Sequence, residues 1–381
     1  MYLLIGADFI PTESNHLLFS RGDVEELFGA ELLALLKGAD HKIFNLEAPL
    51  ADTMDPIIKQ GPHLAAPTSA IKCYKDINVD LLTLANNHIL DQGISGLNST
   101  ISVLDEAGIN HVGAGSSLSD AQKPFIVPFA GKKIGIYACA EHEFSIASDV
   151  SAGANPFDPL WSLDHVAELR KDTDLVIVLY HGGKEYYRYP SPGLQKTCRR
   201  LVDKGADLVI CQHSHCIGCE EKYRDGTIIY GQGNFLFDDK DDEYWKTNLL
   251  IRVDEDLGVS YVPLKKCTNT VRMADEEEAK EILQGFQKRS DEIKKPGFIE
   301  DSYAGFSKDY LHRYLYAFYG KRSLGERILN ALSKGKFLKL IIKRRYDPKS
   351  IVRLQNYVEC EAHRELMSEG LSLLVHDDVT D

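Results

Sequence analysis

The sequence predicts an α/β fold over residues 1–270 and a helical region over 271–381. Three observations carry this reading. Runs such as DLVIVLY (174–180) and ADLVICQ (206–212) are apolar without strict alternation, as strands covered on both faces are. Longer stretches with helical character separate those runs, and strand–helix alternation favours a sheet with helices on its faces. Beyond residue 270 the strand signals become few.

Taken in order, strands are expected at Leu3–Ala7, His41–Leu46, Leu81–Ala85, Ile134–Cys139, Leu175–Tyr180, Leu208–Cys211 and Thr227–Tyr230. Helices are expected at Gly22–Leu36, Gly93–Ala107, Ser162–Lys171 and Leu194–Lys204, with Gly205 stopping the last. Leu249–Val253 and Val259–Leu264 follow closely enough to read as antiparallel, so the sheet should be mixed. Asp275–Lys295 reads as a polar helix, and further helical segments run to about residue 370.

The bulk composition, 44% hydrophobic and 27% charged, is that of a globular chain with material for a real core. Net charge is −13, and the acidic excess lies in residues 1–270, since 271–381 hold 20 Lys/Arg and 19 Asp/Glu. An acidic first region argues against general nucleic-acid binding. The start, MYLLIGADFIP, has no basic leader region and reads as a first strand. No run reaches the roughly 18 apolar residues of a membrane helix. Eight cysteines in a chain of this length suit a reducing compartment, and a cytoplasmic location is expected. Cys216 and Cys219 form a CxxC, but no second one accompanies it, which favours packed thiols over a zinc knuckle.

The chemistry gathers in loops that follow expected strands. The loop after the first strand brings Asp8. FNLEAPL brings Glu47, and LANNHILDQG brings Asn86, Asn87, His88 and Asp91. LYHGGKE brings His181, and CQHSH brings His213 and His215. Carboxylate, amide and imidazole donors suit one or two divalent ions, Mn, Fe or Zn, without any thiolate. A pair of such ions would polarise a phosphoryl group and activate water, and a carboxylate such as Glu47 could bridge them.

The ordered set GAD, NLEAPL, LANNHILDQG, LYHGGKE, CQHSH and YGQGNFLFD resembles the CapA family of capsule-synthesis proteins, within the calcineurin-like metallophosphoesterase superfamily. The similarity spans about residues 3–265, and the joint occurrence of NNHxxD, HxH and GNFxFD makes it specific. The resemblance implies a four-layer α/β/β/α sandwich of the metallophosphoesterase type with a C-terminal helical extension. It implies one metal on Asp8, Glu47 and His215, and another on Glu47, Asn87, His181 and His213. His88 would act as general acid, oriented by Asp91. Asn87 is preferred to Asn86 because it directly precedes the histidine.

Several positions depart from the pattern. The superfamily's histidine two residues after the first aspartate is Ile10 here, which leaves the first metal short of a ligand. Ala7 and Gln212 stand where glycine is usual, and the family's HWG is HGG. Expected substrate contacts are Lys184, Glu185 and Arg188 in KEYYRYPSP, His63 in QGPHLAAP, and Asn234 in YGQGNFLFD. The bland alternative for KEYYRYPSP is a surface loop with aromatic anchors. Residues 308–353 hold 13 Lys/Arg against three Asp/Glu, which reads either as a helix packed with a solvated basic face or as a peripheral contact with an anionic membrane.

These readings imply a metal-dependent phosphoesterase-like hydrolase associated with capsule, surface-polysaccharide or poly-γ-glutamate biosynthesis. Its substrate would be an anionic small molecule or polymer carrying phosphate. The alternative is a largely non-catalytic partner, or polyanion-binding subunit, of a capsule-polymer assembly complex.

Overall fold

The computed structural model describes residues 1–237, 242–320 and 323–380. Asp238 of the YGQGNFLFD stretch, and Lys321 and Arg322 of the basic segment, lie outside the described residues. The chain forms two compact units, Met1–Glu300 and Asp301–Asp381.

The first unit is built on two sheets. The larger runs in the order Thr270–Met273, Val259–Cys267, Thr247–Asp254, Tyr2–Asp8, His41–Asn45, Leu81–Thr83 and Asn110–Val112. The last four strands are parallel, and the first three join antiparallel. The smaller sheet runs in the order Glu220–Tyr223, Gly226–Tyr230, Leu208–Gln212, Leu175–His181, Lys132–Ala140 and Phe125–Phe129. Its four middle strands are parallel.

Period-two side-chain alternation sorts the strands into faces. Leu3, Ile5, Ile43 and Ile251 of one sheet meet Ile134, Ile136, Ile177 and Ile210 of the other in a buried inter-sheet layer. On the outer face of the first sheet, Leu4, Phe44, Leu82 and Leu250 pack with Leu27, Leu32 and Leu97 of the covering helices. On the outer face of the second, Tyr137, Val176, Val178 and Val209 pack with Val166, Leu169, Cys198 and Leu201. The result is an α/β/β/α sandwich. Strands buried on both faces explain the unbroken apolar runs, and each fully buried Leu or Ile contributes about 1.5–3 kcal/mol.

The expected helix Gly22–Leu36 is interrupted. A short helix His16–Arg21 ends at Gly22 in the left-handed conformation, and Val24–Gly38 follows. Within the latter, Gly29 takes φ 68° and ψ 166°, and a Cβ there would lie 2.9 Å from the Arg272 side chain. Glycine alone meets both demands without strain. The strands Asn110–Val112, Phe125–Phe129, Glu220–Tyr223 and Thr270–Met273 lay outside the expected set. All four lie at sheet edges, where one side of the ladder has no neighbour and the sequence needs no continuous apolar run.

The polar helix is Glu276–Glu292, started by a reciprocal capping box between Asp275 and Glu278. It packs against Glu220–Tyr223 and Val259–Cys267 in the first unit. The second unit is helical and includes Leu324–Leu332, Lys336–Arg345, Pro348–Glu359 and Glu361–Thr380. In the basic helix Lys336–Arg345, Ile342 is buried while Leu340 is exposed. Among the described residues, no helix is long and apolar enough to cross a membrane. Cys216 and Cys219 are buried free thiols. The chain passes closely there, since a Cβ on Gly218 would lie 1.7 Å from the Tyr230 carbonyl oxygen.

Candidate metal centre

Parallel strands bring their carboxyl ends to one edge, and both sheets contribute to the cluster found there. Asp8, Asn45 and Thr83 end three strands of the larger sheet, and His181 and Gln212 end two of the smaller. Glu47, Asn87, His213, His215 and Asn234 come within a few residues of strand ends. All of these except Gln212 and Thr83 carry groups that meet at the cluster, and Thr83 supports it from below.

Asn45 is the hub of that support. Its Nδ2 donates to Asp8 Oδ1 at 2.6 Å and lies 3.4 Å from His181 Nδ1. Its Oδ1 accepts from Thr83 Oγ1 and Asn86 Nδ2, each at 3.2 Å. Asn86 also donates to the Leu46 carbonyl at 2.9 Å, so it pins the backbone beside Glu47. Asn45 was not among the expected site residues, although a polar side chain closing the apolar run HKIFN is a visible signal.

Glu47 is fully buried, and neither of its carboxylate oxygens has a hydrogen-bond partner. His181 Nε2 lies 3.1 Å from Glu47 Oε1, 3.0 Å from Asn87 Oδ1 and 3.1 Å from His213 Nδ1. His213 Nδ1 is 3.9 Å from the same carboxylate oxygen. Four donor atoms therefore converge from one strand end and three loops. On the other side of the cluster, His215 Nδ1 lies 3.4 Å from Asp8 Oδ2 and 2.9 Å from Asn234 Oδ1. Ligand atoms of Glu47, His213 and His215 all lie within 4.8 Å of one another.

A buried carboxylate costs several kcal/mol, so the fold must recover that cost from the surrounding charge, here the facing histidines. Burial pushes Glu47 up, but His181, His213 and His215 outweigh it and hold the carboxyl well below its ordinary value. Asp8 moves up, through burial and the neighbouring Glu47. Burial opposes protonation of His213, yet Glu47 and Glu141 raise it to about 9. His215 is also raised, chiefly by Asp8 and Glu47 against its burial. His213 and His215 adopt positive φ of 78° and 54°. Such backbone is uncommon for a residue with a Cβ and persists where the surroundings impose it. Orphaned carboxylate oxygens ringed by imidazole and amide donors fit a divalent cation.

His88 sits beside this cluster. Its Nδ1 lies 2.6 Å from Asp91 Oδ2 and 3.1 Å from Lys59 Nζ. Lys59 also pairs with Asp91 Oδ1, and both side chains are buried. Asp91 further accepts from the Leu64 amide at 2.6 Å, which straps the 57–64 loop to the histidine. Lys59 gave no signal in the sequence, because its loop has no periodicity.

A family model described as "Bacterial capsule synthesis protein PGA_cap" matches residues 7–239, more than half of the chain. The chain belongs to this capsule-synthesis family. Among curated relatives, the "PGA biosynthesis protein CapA" of Bacillus subtilis is 31% identical over 214 residues, covering 54% of this chain and 55% of that protein. The "Capsule biosynthesis protein CapA" of Bacillus anthracis is 31% identical over 212 residues, covering 53% and 52%. The chain thus spans about half the length of the curated relatives it matches. A solved phosphatase structure from Mycoplasma pneumoniae has a TM-score of 0.44 at 13% identity, covering 70% of this chain and 94% of that one.

In this family member the remaining expected residues fall into two groups. Lys184 and Glu185 lie 3.4 Å apart, and Glu185 is held below its ordinary value despite burial, chiefly by His213. Those two border the cluster, as does Glu141, whose Oε1 is 3.6 Å from His213 Nε2. Arg188 instead pairs with Glu243 at 3.3 Å, and its guanidinium lies 4.7 Å from the Tyr244 ring centre. His63 is exposed, with Nε2 against the Ile57 carbonyl at 2.6 Å. An aromatic wall not anticipated from the sequence stands beside His215: Trp245 stacks on its ring at 5.0 Å, and Phe237 lies 5.8 Å away.

Proposed function

We propose that this chain is a divalent-metal-dependent phosphoesterase-type hydrolase that acts in the assembly of an anionic capsule polymer. The observation that carries the reading is Glu47, a buried carboxylate met, among the described residues, by no donor other than imidazole nitrogens, with His181 Nε2, His213 Nδ1 and Asn87 Oδ1 gathered beside it. Membership of the capsule-synthesis family and the names of its relatives support the biological setting. Glu47, Asn87, His181 and His213 would hold one cation, and Asp8, Glu47 and His215 would hold a second. When bound, such ions polarise a phosphoryl oxygen and lower the pKa of water.

The chain's own groups do the rest. Asn45 fixes the rotamers of Asp8 and His181 by bonding both. Asp91 engages Nδ1 of His88, which leaves Nε2 to hand a proton to the departing alkoxide. Lys59 balances the Asp91 charge, so the buried carboxylate does not face His88 alone. Lys184 at the border offers positive charge to an anionic substrate.

The test is turnover of p-nitrophenyl phosphate and bis-p-nitrophenyl phosphate by chelator-stripped protein reloaded with Mn²⁺, Fe²⁺ or Zn²⁺. Metal-dependent hydrolysis that His213→Ala abolishes is expected. Absence of metal-dependent turnover with all three ions would overturn the hydrolase reading.

A further inference from the structure

We propose that Asn234 is a cation ligand, completing the position formed by Asp8, Glu47 and His215. The inference rests on the metal centre proposed above and concerns its poorer half. Ile10 occupies the point in the sequence where a further imidazole was missing. It is buried in an apolar cluster with Ala48, Phe237 and Trp245, and has no lone pair to offer. That leaves Asp8, Glu47 and His215, three side chains for an ion that takes four or more donors.

Asn234 supplies a fourth from a different strand end. It is 2% exposed and follows Gly226–Tyr230. Its Oδ1 lies 2.9 Å from His215 Nδ1, while its Nδ2 is buried without a hydrogen-bond partner. An unsatisfied buried amide nitrogen costs about 1–3 kcal/mol, so the fold accepts that penalty while holding the oxygen in this place. A single proton on His215 Nδ1 cannot serve both Asn234 Oδ1 and Asp8 Oδ2 well, the latter at 3.4 Å. The spacing has a simpler reading. Two donors each about 2.1 Å from one cation and at right angles to each other are about 3 Å apart.

The other half of the centre shows the same pattern. Asn87 Oδ1 lies 3.0 Å from His181 Nε2, against 2.9 Å for Asn234 Oδ1 and His215 Nδ1. Each side of Glu47 thus pairs one imidazole nitrogen with one amide oxygen. The Asp8 side adds a carboxylate, whose Oδ1 is tied to Asn45 and whose Oδ2 faces His215. Stacking by Trp245 at 5.0 Å keeps the His215 ring from turning. Two carboxylates, one amide oxygen and one imidazole form an oxygen-rich set, which suits Mn²⁺ better than a thiolate-preferring ion.

The experiment counts bound Mn²⁺ per chain by elemental analysis of chelator-stripped full-length protein after dialysis against Mn²⁺, with the spin coupling of a paired centre read by EPR. Wild type should hold two ions with a coupled signal. Asn234→Ala and His215→Ala should hold one, or bind the second roughly tenfold or more weakly, with the coupling lost. Asn234→Asp, which restores an oxygen donor, should hold two. Asn234→Leu, similar in shape and lacking a donor, replaces the alanine variant should that one not fold by circular dichroism. Two ions retained at unchanged affinity in Asn234→Ala or Asn234→Leu overturn the assignment. A wild type holding one ion that neither substitution disturbs also overturns it. A wild type that holds no ion after supplementation overturns the metal centre itself.

Discussion

Raising the pH of the metal-free protein should destabilise it, and loading the centre with metal should reverse the trend. His213 is held up to about 9 by Glu47 and Glu141. An unfolded histidine titrates near about 6.5. A group whose folded pKa is raised contributes stability that is fully present below its unfolded pKa and is lost as pH climbs through the folded one. For His213 the window therefore opens near about 6.5 and closes near about 9. Linkage over that interval gives a loss of about 2 kcal/mol between about pH 6.5 and 8.5, from this residue alone. For a unit of the size of Met1–Glu300 the loss corresponds to a fall in Tm of roughly 3 °C. His215 moves in the same direction and adds to it. Metal binding needs neutral imidazoles, so with Mn²⁺ present the stabilisation should grow over the same interval as protons cease to compete. The assay is thermal unfolding at fixed ionic strength, with chelator or with Mn²⁺, for wild type and His213→Gln. The chelated wild type should lose Tm with pH, and the variant should lose less. A flat or rising chelated profile would refute the charge arrangement described around Glu47.

His88→Ala should lower kcat on an alkyl phosphate, whose leaving group needs the proton, by about 10²–10⁴-fold and far less on p-nitrophenyl phosphate, while leaving bound metal unchanged, as elemental analysis would verify. Loss of metal instead would make His88 a ligand. Lys59→Met takes the ammonium from buried Asp91 Oδ1 and leaves that carboxylate only the His88 ring and the Leu64 amide, and denaturant unfolding should show a cost of about 3 kcal/mol. Ile177→Ala in the inter-sheet layer should cost about 2–5 kcal/mol by the same measurement, and a value under about 0.5 kcal/mol would contradict the packing described. Asp275→Ala removes a capping box and should cost only about 1 kcal/mol.

Much of the framework was legible because its physical causes are local. A strand covered on both faces must be apolar throughout, so Leu175–His181 and Leu208–Gln212 stand out in the chain. Histidines stand at or just beyond the carboxyl end of each, and parallel strands deliver their carboxyl-end loops to one edge. The side chains from Asp8 to His215 that meet at this edge could therefore be named from sequence. Edge strands such as Glu220–Tyr223 escaped notice because a half-buried, singly paired strand carries no such pattern. The break at Gly29 escaped for a related reason, since one glycine in a helical stretch does not announce that the backbone must turn past Arg272.

The order of residues was enough to say which side chains could meet a cation, because loop position after a strand and donor chemistry are both written along the chain. How those donors are oriented, and what stands behind them, was decided only when the chain folded. Lys59 reaches Asp91 across 32 positions, Asn45 joins Asp8 to His181, and Trp245 braces His215. Contacts of that kind depend on where two sheets and their loops come to rest, and no short-range pattern encodes them. The same holds for Asn234. In sequence it was an expected substrate contact in a glycine-rich stretch. In the folded protein its amide oxygen lies 2.9 Å from His215, on the side of Glu47 where Ile10 left a donor missing.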